Sequence, residues 1–167
     1  MLKPAQLYTP ELKMKFWEIA YDEKYMFAYS GHNVEYEPTT DNWNQHEFAS
    51  VDKNNNVLGY IAYEINQKSK NVNGLFIVNF SNNKLTFGKD VFQAIDDIFI
   101  KYKYNKLNYG VNVGNPIETT YDKLTKKYGG RIVGIKKKDV MLLDGSYCDY
   151  KMYEIFREDY LKNRKDG

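Results

Sequence analysis

Residues 106–130, KLNYGVNVGNPIETTYDKLTKKYGG, restrict the fold more than any other part of the chain. Leu107, Tyr109, Val111 and Val113 alternate with Asn108 and Asn112, the period-2 pattern of a strand. Asn115-Pro116-Ile117-Glu118 then has the composition of a helix start, with Asn as N-cap and Pro at the first helical position. Ile117, Tyr121, Leu124 and Tyr128 follow on one helical face, and Gly129-Gly130 ends it. The remainder reads as scaffold for this strand–turn–helix unit and for a partner just upstream.

Taken in order, the chain offers a weak first strand near Gln6–Tyr8 and a helix opened by Thr9-Pro10-Glu11. That helix carries Leu12, Phe16, Ile19 and Tyr21, continues after a break through Tyr25 to Tyr29, and stops at Ser30-Gly31. Residues 31–45 lack a period and read as a loop whose conspicuous members are His32, Tyr36 and Trp43, with His46 just beyond. A three-strand meander follows: Glu47–Val51, Val57–Ile65 and Leu75–Phe80, with turns at 53–56 and 67–73. Leu75–Phe80 is nearly continuous in apolar character, the mark of a central strand covered on both faces. A helix after Asp90 carries Val91, Ile95, Ile98, Phe99 and Tyr102 on one stripe. After the 106–130 unit, Arg131–Lys138 and Val140–Leu143 read as strand, Asp144-Gly145 as a hairpin turn and Tyr147–Phe156 as the last strand. Residues 157–167 are charged and read as a frayed tail.

The chain of 167 residues, 43% hydrophobic and 28% charged, is expected to form one domain over 1–167. A net charge of +2 gives little pull toward nucleic acid or membrane. One cysteine, Cys148, excludes an internal disulfide, and two histidines leave no metal-ligand cluster. Without a leader or a long apolar run, the expected location is cytoplasmic.

The segment Asn115–Lys123 resembles the N-P-x-x-x-x-Y-x-K signature of the GNAT-family N-acetyltransferases, where it joins the fifth strand to the fourth helix. The order of elements over residues 45–156 is similar to that family, and the Asp144–Asp149 turn resembles its closing hairpin. The resemblance implies an α/β (mixed α+β) fold: a mostly antiparallel sheet of about seven strands with helices on both faces. It also implies that strands near 74–80 and 106–113 run parallel and splay apart at their C-terminal ends. Unpaired backbone in such a gap suits the pantetheine arm of acetyl-CoA, which can add like a strand.

On that resemblance the cofactor-binding residues are Ile77, Val78, Asn79, Phe80, Asn83, Lys84, Thr86, Phe87, Gly88, Lys89 and Asn115, with no metal. Asn83–Gly88 stands where the family has Q/R-x-x-G-x-G/A, and only Gly88 matches. N–H groups at the helix start, Thr86 among them, would face the phosphates, with Lys84 and Lys89 adding charge. Asn79 and Phe80 are the oxyanion donors, and Tyr121 protonates the departing thiolate. The competing reading makes Tyr121 a core residue of its stripe. Glu64, Glu47 and His46 are weak base candidates. The implied function is acetyl-CoA-dependent acetylation of a primary amine on a small molecule or peptide, with room for a homodimer. The alternatives are a catalytically inactive module that binds acyl-CoA or a protein partner, and nucleic-acid binding through Lys123, Lys126, Lys127, Arg131 and Lys136–Lys138, which the near-balanced charge disfavours.

Overall fold

The structure, a computed structural model, describes residues 1–20, 22–27 and 36–164. Seven strands form one sheet: β1 (Leu2–Pro4), β2 (Gln45–Val51), β3 (Val57–Asn66), β4 (Asn71–Asn79), β5 (Lys106–Asn112), β6 (Arg131–Met141) and β7 (Tyr147–Phe156). Their spatial order is β1-β2-β3-β4-β5-β7-β6. Among the described residues only β4 and β5 run parallel. The helices are α1 (Thr9–Ile19), α2 (Lys84–Asp96, continued by a π-turn Asp97–Lys101), α3 (Glu118–Lys127) and α4 (Arg157–Asn163).

The helices divide unevenly over the two faces. On one face Ile61, Tyr63 and Ile65 of β3 and Leu107, Tyr109 and Val111 of β5 pack under α2, α3 and α4. On the other, Leu12, Phe16 and Ile19 of α1 cover Ala49, Val51, Tyr60, Ala62 and Val78, which belong to β2, β3 and β4. Among the described residues no helix covers β5 and β7 on the α1 face. Among the described residues, that asymmetry leaves an entrance to the middle of the sheet.

Several boundaries differ from the sequence expectation. The first strand is Leu2–Pro4, and residues 5–8 form a 3₁₀ turn. β4 starts at Asn71 rather than at 74 or 75 because Gly74, at φ +63, absorbs a bulge that lets Asn71–Asn73 continue the ladder with β3. β4 is central, yet it is not covered on both faces: Phe76 is 36% exposed. The tail does not fray through 157–163, because Tyr160 is buried against Phe99 and Tyr128 and donates to Asp96 (2.6 Å). Arg164 adds an ion pair to Asp96 (2.8 Å). The expectations for Tyr21, Tyr29, Ser30-Gly31 and His32 fall outside the described residues. Among the described residues no helix is long and apolar enough to cross a membrane, and no group of His, Cys, Asp and Glu is placed to hold a metal ion.

Candidate active site in the β4–β5 wedge

β4 and β5 pair only at Asn71↔Lys106 and Val72↔Leu107, then diverge. Asn108 Nδ2 donates to Asn73 Oδ1 (2.8 Å) and marks the apex of the gap. Beyond it both strands keep their outer partners, so the backbone facing inward can be assigned. The Phe80 N–H bonds the Leu58 carbonyl of β3 (2.9 Å); by the alternation of an antiparallel ladder, Ile77 and Asn79 turn their amides toward β5. The Val113 N–H bonds the Asp149 carbonyl beside β7 (2.8 Å), so Gly110 and Asn112 turn theirs toward β4. Two strands thus turn backbone N–H groups toward each other across a cavity of about 180 Å³, while the Asn79 carbonyl accepts from Tyr25 Oη and the Asn112 carbonyl from the Asn115 N–H.

The cavity passes through the sheet. Leu75, Ile77, Val111, Ile117 and Tyr121 line its helix-covered side. Phe27, Phe76, Gly110, Asn112 and Tyr150 line the other. Gly110 is needed there, since a Cβ would sit 2.4 Å from Tyr150 Cζ and Oη.

Tyr121 comes from α3, whose start differs slightly from the sequence reading. Asn115 Oδ1 accepts the Ile117 N–H (3.0 Å), and the Asn115 carbonyl accepts from Glu118, so Asn115-Pro116-Ile117 form a turn and the helix opens at Glu118. Gly129, at φ +72, closes the helix, while the Gly130 N–H returns to Thr125 (2.9 Å). α3 is fixed to β7 by Lys151, a buried side chain whose ammonium meets Glu118 (3.1 Å) and Asp122 (2.7 Å). Asp122 also accepts from Tyr153 (2.8 Å). Hydrogen bonding to Lys151 holds the Asp122 carboxyl below its ordinary range.

Around Tyr121 the phenols of Tyr109 and Tyr153 are engaged. Tyr109 donates to Thr125 Oγ1, which donates in turn to the Tyr121 carbonyl (2.6 Å). Tyr109 stacks on Tyr153, and Tyr121 meets both edge-on. The Tyr121 hydroxyl itself has no hydrogen-bond partner among the described residues. Burial, and then the phenols of Tyr109, Tyr150 and Tyr153, push its pKa well above that of free tyrosine.

A short segment that sequence reasoning left without a role bridges the two arms at the wide end of the wedge. Tyr25 Oη donates to the Asn79 carbonyl (3.0 Å) on the β4 arm, and Asn112 Nδ2 on the β5 arm donates to the Phe27 carbonyl (2.8 Å). These contacts, like the seating of Tyr150 on Gly110, depend on register between distant strands, and no local signal announces them.

The loop expected to hold phosphates is arranged differently from the wedge. Asn79 Oδ1 accepts from the N–H and hydroxyl of Ser81, Ser81 Oγ accepts from the Asn83 N–H, and Asn83 Oδ1 caps α2 by accepting the Thr86 N–H (3.1 Å). Thr86 therefore has no amide to offer a phosphate. Phe87 is buried against Gly59, and Gly88 lies inside α2 at negative φ rather than in a loop. Lys84 and Lys89 are exposed. The Phe80 N–H, assigned to an oxyanion from the sequence, is already bonded to Leu58. None of the base candidates lines the cavity: Glu64 is exposed, Glu47 is buried and accepts from the Thr39 N–H (2.8 Å), and His46 stacks on Tyr63.

No protein-family model matches the sequence, and no curated protein does. Solved structures do. A variant of the spermidine N-acetyltransferase SpeG from Vibrio cholerae has TM-score 0.71 and 17% identity, covering 99% of this chain and 98% of its own. A SpeG chimera reaches 22% identity over 71% of each chain at TM-score 0.59. A GCN5-related N-acetyltransferase from Brucella melitensis has TM-score 0.66 and 13% identity, covering 97% of this chain and 77% of its own. Identities this low speak for architecture alone, and the architecture agrees with the strand order and the parallel, splayed central pair: the chain has the fold of the GNAT N-acetyltransferases.

Proposed function

We propose that this protein is an acetyl-CoA-dependent N-acetyltransferase that moves an acetyl group to a primary amine. The observation that carries the proposal is the open wedge with a free phenol above it. The N–H groups of Ile77, Asn79, Gly110 and Asn112 turn into the wedge with no partner strand, although Tyr25 and Asn115 hold the Asn79 and Asn112 carbonyls, and such amides cost free energy unless a ligand or water bonds them. A pantetheine arm, with two amides on a narrow chain, matches that demand by strand addition. Bare Gly110 leaves width for it.

Bound acetyl-CoA supplies a thioester. The incoming amine forms the C–N bond as the C–S bond breaks; Tyr121 Oη gives its proton to the leaving sulfur and is reprotonated through solvent from the proton the amine sheds. The raised pKa of Tyr121 keeps it an acid over the working pH range. Since the Phe80 N–H is committed to β3, the Asn79 N–H is the donor left for the developing oxyanion. Among the described residues no carboxylate or imidazole lines the cavity, so an amine with a pKa near ~10.4 must lose its proton to solvent before attack.

A second reading, a module that binds acyl-CoA without turnover, is favoured by the self-satisfied phosphate loop and the missing base. Calorimetric titration with acetyl-CoA, followed by thiol release over a panel of amines that includes spermidine, separates the two. Binding with turnover supports the enzyme, binding without turnover the module, and no binding removes both.

A further inference from the structure

We infer that Tyr150 is the acceptor-binding residue of this site, and that its uncharged aromatic entrance selects a primary amine carried on an aromatic or other apolar body rather than a polycation. The inference rests on the acetyltransferase reading and adds the side of approach and the class of acceptor.

The side of approach follows from what covers the sheet. Tyr121 and the helices α2, α3 and α4 roof one face of the wedge, so an amine reaches a thioester held between the strands from the opposite face. Among the described residues no helix covers that face over β5 and β7, because α1 packs on β2, β3 and β4. Its walls are Phe27 and Phe76 toward β4 and Tyr150 over β5. The Tyr150 ring rests directly on Gly110, and its hydroxyl has no hydrogen-bond partner among the described residues. Two free phenols therefore face the same cavity from opposite sides of the sheet, Tyr121 beside the leaving group and Tyr150 beside the nucleophile. Burial raises the Tyr150 pKa, so the group is a neutral phenol, able to accept from an amine N–H but not to act as a base.

The acceptor class follows from charge. Among the described residues no charged side chain lines the cavity. Asp139, whose charge reaches Tyr150, pairs with Lys136 (3.6 Å), and Glu118 is held by Lys151. An aromatic wall attracts one ammonium and stacks with a flat ring. Additional ammonium groups of a polyamine would lose water against apolar surface with no carboxylate in return.

The test is steady-state acetyl transfer at saturating acetyl-CoA with phenethylamine and spermidine, run on the wild type and on Tyr150→Phe, which keeps the ring. The wild type should favour phenethylamine in kcat/KM by about tenfold or more. Tyr150→Phe should raise the phenethylamine KM about three- to tenfold, the loss of one hydrogen bond, without moving the calorimetric Kd for acetyl-CoA. Preference for spermidine, an unmoved KM, or a change confined to the acetyl-CoA Kd would overturn the inference while leaving an acetyltransferase standing. Failure to bind acetyl-CoA, or to acetylate any amine, overturns the parent reading and this one with it, and is told apart by the wild type alone.

Discussion

The wedge and the loop expected to hold phosphates both leave from the C-terminal end of β4, and they treat their backbone in opposite ways. In the wedge, Ile77 and Asn79 face Gly110 and Asn112 with no strand between them. In the loop, Asn79, Ser81 and Asn83 use side chains to satisfy the amides of Ser81, Asn83 and Thr86 locally. One region turns amides into a gap with no partner strand; the other bonds three of its amides with its own side chains. The contrast teaches that affinity for an acyl-CoA should reside in the arm between the strands far more than in the grip on its phosphates, and each variant below tests one side of it.

The largest effect is expected at Tyr121. Removing only its hydroxyl, as Tyr121→Phe, should lower kcat by about 10²–10⁴-fold, the range of general acid catalysis, with acetyl-CoA affinity unchanged. A mutant that turns over normally would return Tyr121 to the core. The same phenol gives a pH prediction. Its pKa is raised, so the acid form persists above the ordinary tyrosine value of 10.0. Turnover should therefore climb with pH as the amine loses its proton, with no falling limb below about pH 10. A falling limb near neutrality would place the essential acid elsewhere.

Next in size is Gly110→Val. Its branched side chain meets the Tyr150 ring, and displacing that ring narrows the wedge from the acceptor face. Acetyl-CoA affinity should drop about tenfold or more by calorimetry, equivalent to roughly 1.4 kcal/mol or more. Unchanged affinity would mean that the arm does not lie between the strands. Lys151→Met then probes the seat of α3. It strips a buried cation from Glu118 and Asp122, but Asp122 is 42% exposed at its side chain and water offsets much of the loss. A cost of about 1–2 kcal/mol in unfolding free energy is expected, with kcat falling more than acetyl-CoA affinity because Tyr121 rides on the same helix.

These regions were also unequally legible in the sequence. The two strands of the wedge carry local patterns, strict alternation through Leu107–Val111 and a nearly continuous apolar run at Leu75–Phe80, but their parallel splay was implied only by the resemblance to the GNAT order of elements. Helical spacing placed Tyr121 on the buried stripe of its helix, and only the resemblance of Asn115–Lys123 to the GNAT signature singled it out as an acid. The seating of Tyr150 on Gly110 could not be read, since it arises when Tyr150 pairs with Asn112 across the β5–β7 ladder, far apart in sequence. Tyr25 and Phe27 were hidden for the same reason. The tail was misjudged because its charges are plain while the one residue that docks it, Tyr160, finds its pocket only after the sheet is built. In the loop, spacing suggested amides free for phosphate; Asn83 reverses that by capping, a choice its side chain can make at any helix start.

Asn83 gives the smallest effect and the sharpest test of the contrast. Asn83→Ala removes the cap from α2 and should cost about 0.5–2 kcal/mol of stability, read as a lower Tm or urea midpoint. It also frees the Thr86 N–H at the positive end of the helix, where a phosphate would accept it. If the loop stands apart from the cofactor, affinity for acetyl-CoA should move less than about twofold at ordinary salt, since only exposed Lys84 and Lys89 remain to attract the phosphates and salt screens them. A marked gain in acetyl-CoA affinity, absent with acetyl-pantetheine, would show instead that the phosphates do reach α2 and that Asn83 competes with them for Thr86. The difference between the two regions would then be one of occupancy by a side chain rather than of purpose.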